Sequence, residues 1–148
     1  MALFHSLVVA LDGSAQSDAA SALAIKIAAA QKAHILFVNV VEAEKVVASI
    51  VPGQGFADPT LAIDQLRSAG AEALRKALAD AQSAGVTATS KLDEGDSVER
   101  IIELAKSNGA DLIVMGSHGR AGLDRLLLGS VAEGVLRKST IPVMIAKS

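Results

Sequence analysis

The sequence predicts an α/β protein built on a parallel, doubly wound sheet, and three observations point there. Short apolar runs alternate with helix-period segments in the order β-α-β-(loop)-α-β-α-β-α-β. Several of the runs are apolar on both faces, as strands covered by helices on each side must be. Of the 148 residues, 51% are hydrophobic, mostly Ala and aliphatics, a composition suited to helices lying close on a sheet. The length fits one domain over residues 1–148 with a sizeable core.

The first strand lies within Leu3–Leu11 and centres on the run Leu7-Val8-Val9-Ala10-Leu11. Asp12-Gly13-Ser14 ends it in a turn, with Ser14 placed to cap the next helix. In that helix Ala20, Leu23, Ala24, Ile27 and Ala28 recur at the spacing of one buried face. His34–Val41 is the second strand. Glu42–Pro59 has no clear period and carries Pro52, Gly53, Gly55 and Pro59, so it reads mainly as loop, with a short helical turn over Ala43–Ser49. Its Val46, Val47, Ile50, Val51 and Phe56 are expected to pack on the core, with a lid or subunit contact as the alternative.

Leu61–Ser83 is helical, with Leu66, Ala73, Leu74, Ala77 and Ala81 facing inward and Gly85 as its stop. Val86–Leu92 alternates like a half-exposed strand near a sheet edge. Asp96 and Glu99 then have the spacing of a capping box ahead of Val98, Ile101, Ile102 and Ala105, and Asn108-Gly109 closes that helix. Leu112–Met115 makes the fourth strand, Ser130 opens the last helix, and Ile141–Ala146 makes the fifth strand with Pro142 at its start.

Composition removes several function classes. The 14 Lys and Arg against 16 Asp and Glu give a net charge of −2, with no global pull toward nucleic acid or an anionic membrane. No Trp or Tyr is present, and Phe4, Phe37 and Phe56 are the only aromatics of the Phe/Trp/Tyr class, which argues against base stacking on a nucleic-acid surface. Without cysteine there is no disulfide framework, thiolate metal site or thiol nucleophile. No apolar run reaches membrane-spanning length and no secretory signal is visible, so a cytoplasmic location is expected.

The chemistry concentrates in Ala110–Arg137, where Gly116, Gly119, Gly129 and Ser130 stand where a phosphate cradle would want them. Glycines let backbone N–H groups approach an anion, and a helix N-terminus adds unpaired donors and a positive dipole end. Neither common phosphate motif fits: Gly129 is followed by Ser130 with no lysine, and Gly116, Gly119 and Gly122 have G-x-x-G-x-x-G spacing. The carboxyl ends of strands one and four present Asp12 and Gly116, which would share one crevice if those strands are neighbours at a switch point.

The pattern present is G-x2-G-x9-G-S over Gly116, Gly119, Gly129 and Ser130. With the stretch MGSHGRAGLDRLLLGSVAEGVLRKSTIPVMIA, the start LVVALDGS and the strand end VNVVE, the chain resembles the universal stress protein family in its ATP-binding branch, over essentially its whole length. The resemblance implies a Rossmann-like fold of the adenine nucleotide alpha hydrolase type, five parallel strands in the order 3-2-1-4-5, and ATP (or AMP or ADP) across the switch point. Carried over by position, Asp12 contacts the adenosine moiety, Val40 meets the adenine edge through its backbone, and Met115 and Gly116 line the ribose side. Gly119, Gly129, Ser130 and Val131 hold phosphates. The resemblance further implies a homodimer, and an apolar last strand, Pro142–Ala146, is a natural edge for pairing.

Other readings of these residues stay open. Ser130 and Glu133 have the spacing of a capping box, Asp12-Gly13 is a common turn pair, and Gly116 could only relieve crowding at a strand end. Gly122 and Gly134 read as loop or packing residues. Arg120 is a candidate phosphate contact, Arg125 a weaker one that could instead pair with Asp124, and His118 lacks any group to orient it as a catalyst. No carboxylate cluster marks a metal site, so Mg²⁺ or Mn²⁺ would travel with the phosphates. The expected function is a nucleotide-dependent regulatory module. A slow ATPase or phosphotransferase is one alternative, and a nucleotide-independent interaction protein is another.

Overall fold

The computed structural model describes residues 2–49, 58–117 and 128–147. The elements in chain order are β1 (Ser6–Ala10), α1 (Ala15–Gln31), β2 (His34–Val41), α2 (Ala43–Ala48), α3 (Pro59–Ser83), β3 (Ala88–Glu94), α4 (Ser97–Ser107), β4 (Leu112–Gly116), α5 (Ser130–Lys138) and β5 (Val143–Ala146). The five strands form one sheet in the order β3-β2-β1-β4-β5, parallel at every pairing. Strand order therefore reverses between β1 and β4, and the first and fourth strands are neighbours.

Alternation along β1, β2 and β4 sends side chains to two apolar layers. Leu7 and Val9, Ile35 and Phe37, and Leu112 and Val114 meet Ala20, Ala24 and Ala28 of α1 and Leu74, Ala77 and Ala81 of α3. Val8, Leu36, Val38, Ile113 and Met115 face the other way, onto Ile101, Ile102 and Ala105 of α4 and Ala132 and Val135 of α5. Alanine at every fourth position of α1 lets that helix ride low on the sheet. Gly134 does the same between the last two helices: a Cβ there would lie 2.7 Å from Val98 Cγ2 of α4.

Local chemistry sets the helix starts. Ser14 Oγ accepts from Ser17 N–H at 3.1 Å, and Asp96 accepts from Glu99 N–H at 3.0 Å, so both expected caps are made. Asp58 caps α3 through Thr60 N–H at 3.0 Å. Pro59 is thus the first residue of a helix rather than the end of a loop, a position where its missing N–H costs nothing. Asp111 joins the entries of β1 and β4 by accepting from His5 N–H at 2.9 Å and Ser6 N–H at 3.2 Å.

The structure revises two further expectations. The edge strand β3 sits two residues later than the alternation suggested and is exposed along most of its length, so its small and polar residues gave little signal of register. The Ala43–Ser49 turn is α2, but it buries none of its residues: Val47 is 53% exposed and Val46 borders a cleft instead of the core. Ile50, Val51 and Phe56 lie outside the described residues.

Candidate functional site

A cleft of about 480 Å³ opens at the carboxyl ends of β1, β2 and β4, where the strand order reverses. Its floor includes Asp12, Val40, Met115 and Gly116, and its wall includes Gly129, Ser130 and Val131. These seven residues come from three strand ends and one helix start, and the fold brings them to a single cavity. Gly119 and Arg120 lie outside the described residues, as do His118, Gly122, Asp124 and Arg125.

Asp12 follows β1 in an Asx turn. Its Oδ1 accepts from Ser14 N–H at 2.9 Å, and Gly13 takes φ of 84°, a conformation that disfavours a Cβ. The turn-pair reading of Asp-Gly is therefore realised, and Asp12 is also one of the residues that line the cleft. Gly116 is required by sterics alone: a Cβ would lie 2.8 Å from the carbonyl carbon of Gln16 and 2.9 Å from its oxygen. Met115 is buried between β1 and β5, its side chain in the α4/α5 layer.

The start of α5 corrects the capping reading of Ser130. Gly129, extended at φ −64° and ψ 159°, is the N-cap, and its C=O accepts the first helical bond from Glu133 N–H at 2.9 Å. Ser130 is the first helical residue and is exposed, so its hydroxyl is one position too late to cap. Glu133 bonds Arg137 at 2.5 Å instead of reaching back. Gly129 itself is tied to β4 by its N–H, which donates to Ser117 C=O at 2.7 Å. The opening N–H groups of α5 thus have no side-chain cap among the described residues, and Gly129, Ser130 and Val131 line the cavity.

The start of α4, which also borders the cleft, is electrostatically different. Ser97 of α4 borders the cavity, but two carboxylates already answer that positive end: Asp96 as cap, and Glu42, whose Oε2 accepts from Ser97 N–H at 3.3 Å. Glu42 also holds Lys45 Nζ at 2.8 Å, and this hydrogen bond raises the Lys45 ammonium above its ordinary pKa. Between the starts of α4 and α5, only that of α5 lacks a capping side chain among the described residues.

Residues that sequence reasoning missed are Ser17, Asn39, Glu42, Lys45 and Gly70. Asn39 had a visible signal, being the only polar residue inside the run HILFVNVV after its first position. The others reach the cleft through the packing of α1, α2 and α3, which no local pattern announces. Among the described residues no group of three or more His, Asp or Glu side chains is placed to hold a metal ion. No helix among them is long and apolar enough to cross a membrane.

Fold and cleft together define an open α/β domain with a cavity at its topological switch point. The universal stress protein family model matches residues 3–147, and the chain belongs to that family. It is similar to a universal stress protein of Methanocaldococcus jannaschii, with 37% identity over 98% of this chain and 83% of the relative. The universal stress protein YxiE of Bacillus subtilis is 34% identical over 98% of this chain and 100% of its own length. Among solved structures, a universal stress protein in complex with cAMP superposes with a TM-score of 0.67 at 30% identity, covering 97% of each chain.

Proposed function

We propose that this universal stress protein is a regulatory module that binds an adenine nucleotide, ATP or its AMP and ADP relatives, in the switch-point cleft. The observation that carries the reading is the uncapped start of α5 on the same cavity as Asp12 and Val40. An anion at Ser130 and Val131 would meet free N–H donors and a positive dipole end, while the nucleoside would lie toward β1 and β2. The cAMP complex of a related family member supports an adenine nucleotide in this fold. Mg²⁺ or Mn²⁺ would be carried by phosphate oxygens and water, since no protein carboxylate cluster is offered among the described residues. The cytoplasm is the proposed location.

Calorimetric titration with ATP and adenosine tests the reading. Ser130→Ala should leave stability within about 0.5 kcal/mol, because the hydroxyl caps nothing, yet weaken ATP. Gly119→Val should weaken ATP far more than adenosine by blocking the backbone approach to phosphate. Asp12→Ala should weaken both ligands together. ATP binding by Gly119→Val equal to the parent's would remove the phosphate cradle from this loop.

We also propose a homodimer formed through the Pro142–Ala146 edge. Among the described residues β5 pairs only with β4, and its Val143, Met144 and Ile145 are half-buried, so that within them one side of an apolar strand is unpaired. Light scattering at micromolar concentration should give twice the 15.1 kDa chain mass, and the mass of a single chain would refute the dimer.

A further inference from the structure

The β1–β2 ladder stops one rung early. His34 N–H donates to His5 C=O at 3.1 Å and Leu11 N–H to Val38 C=O at 2.8 Å, so residues 34, 36, 38 and 40 of β2 direct their backbone groups at β1. The next rung would run from Val40 N–H to Leu11 C=O. Among the described residues no backbone bond joins those two. The Leu11 carbonyl instead accepts from Asn39 Nδ2 at 2.8 Å.

Asn39 is 8% exposed and projects onto the α1/α3 side of the sheet, at the end of the row formed by Ile35 and Phe37. Gly70 of α3 makes room for it: a Cβ there would lie 2.8 Å from Asn39 Cγ and 2.9 Å from Leu92 Cδ1. The carboxamide is thus clamped between a helix and the last turn of β1, and it takes the carbonyl that would have closed the ladder. Val40 is left half-buried on the cleft floor with an N–H and a C=O directed at the gap beyond β1.

We infer that Asn39 is a positioning residue that holds the ladder open at Val40, so that the Val40 N–H and C=O are presented to the amino-bearing edge of a 6-aminopurine. That edge carries an amino donor beside a ring-nitrogen acceptor, the complement of a backbone C=O beside an N–H. A guanine offers two acceptors, O6 and N7, on the same edge, which leaves the carbonyl of Val40 without a donor. The inference rests on the nucleotide reading above and adds what selects the base.

Amide hydrogen exchange on the ligand-free parent gives a first test that needs no variant. The Val40 N–H should exchange about 100-fold faster than the Val38 N–H, which sits inside the ladder. In Asn39→Ala the freed Leu11 carbonyl should capture the Val40 N–H and slow its exchange about tenfold or more. The same variant should lose about tenfold or more in adenosine affinity while inorganic tripolyphosphate, a probe of the α5 end, binds within about twofold of the parent. Gly70→Ala, which displaces the carboxamide without removing it, should reproduce that split. A Val40 N–H as protected as that of Val38 in the parent overturns the inference. So does adenosine binding by Asn39→Ala equal to the parent's. A parent that binds neither adenosine nor ATP overturns the nucleotide reading and this inference with it, whereas the first two results overturn the inference alone.

Discussion

Phe37→Ala should lower the unfolding free energy by about 3–5 kcal/mol, a large share of the roughly 5–15 kcal/mol typical of a domain. Phe37 is fully buried in the middle of β2 and is the largest side chain so buried among the described residues. It lies against the α1/α3 layer, whose buried helix residues are Leu74 and five alanines, Ala20, Ala24, Ala28, Ala77 and Ala81. Methyl groups on a backbone cannot swing into a void as Leu or Met can, so the cavity should persist and the cost should fall toward the upper end. Urea unfolding gives the comparison, with the transition midpoint falling and the slope unchanged. A loss below about 1 kcal/mol would mean that the helices settle into the gap, contrary to the packing described.

Gly116→Val should damage both the fold and the cleft. The new side chain would start 2.8 Å from backbone and Cβ atoms of Gln16, in the first turn of α1, and those atoms have no rotamer to escape into. Helix α1 must then back away from β4, at about 1–3 kcal/mol of stability. The retreat carries Ser14 and the Asp12 turn with it, since Ser14 caps the helix and its N–H holds the Asp12 carboxylate. Adenosine and ATP affinities should therefore fall together by about tenfold or more, about 1.4 kcal/mol each. Parent-like affinities in a folded Gly116→Val protein would show that the Asp12 turn is placed independently of this contact. Gly116→Ala shares the offending Cβ and should show the same pattern in weaker form.

Much of this molecule is legible in its sequence because the strands are simple. Leu7–Leu11, Ile35–Val41 and Leu112–Met115 are covered on both faces, so the first and last appear as unbroken apolar runs and the second as a run interrupted only by Asn39. The Asp96 cap and the Ser14 cap were readable as local patterns because capping is decided within four residues. Ser130 shows the limit of the same logic. S-x-x-E spacing is met at Ser130 and Glu133, yet the chain enters α5 one residue earlier, where the Gly129 N–H is held by the end of β4. A tertiary bond chose the helix start over the local pattern. β3 was placed two residues early for a related reason: an exposed edge strand has no buried face to mark its register.

The cleft was legible to different degrees. Residues at strand ends and at the α5 start announce themselves by position in the alternation, and seven of them line one cavity. Gly70 sits in the middle of α3 and Ser17 in the first turn of α1, among ordinary helical neighbours, and only the docking of α1 and α3 brings them to the site. Asn39 was the intermediate case, visible as an anomaly in an apolar run but without a partner until Leu11 and Gly70 are seen beside it.

The two borders of the sheet are chemically unlike. β5 exposes a half-buried row of Val143, Met144 and Ile145, whereas β3 shows water Thr89, Ser90, Lys91 and Glu94, the last engaged by Arg67 at 2.5 Å. An added strand at β3 would have to strip water from those charges and disturb that ion pair, while one at β5 would cover hydrocarbon. A contact using β5 from both chains about a twofold axis consumes the adhesive border of each partner and leaves charge on the outside of the pair. In the dimer proposed above, growth by strand addition would then be self-limiting: the arrangement would close at two copies instead of propagating as a filament.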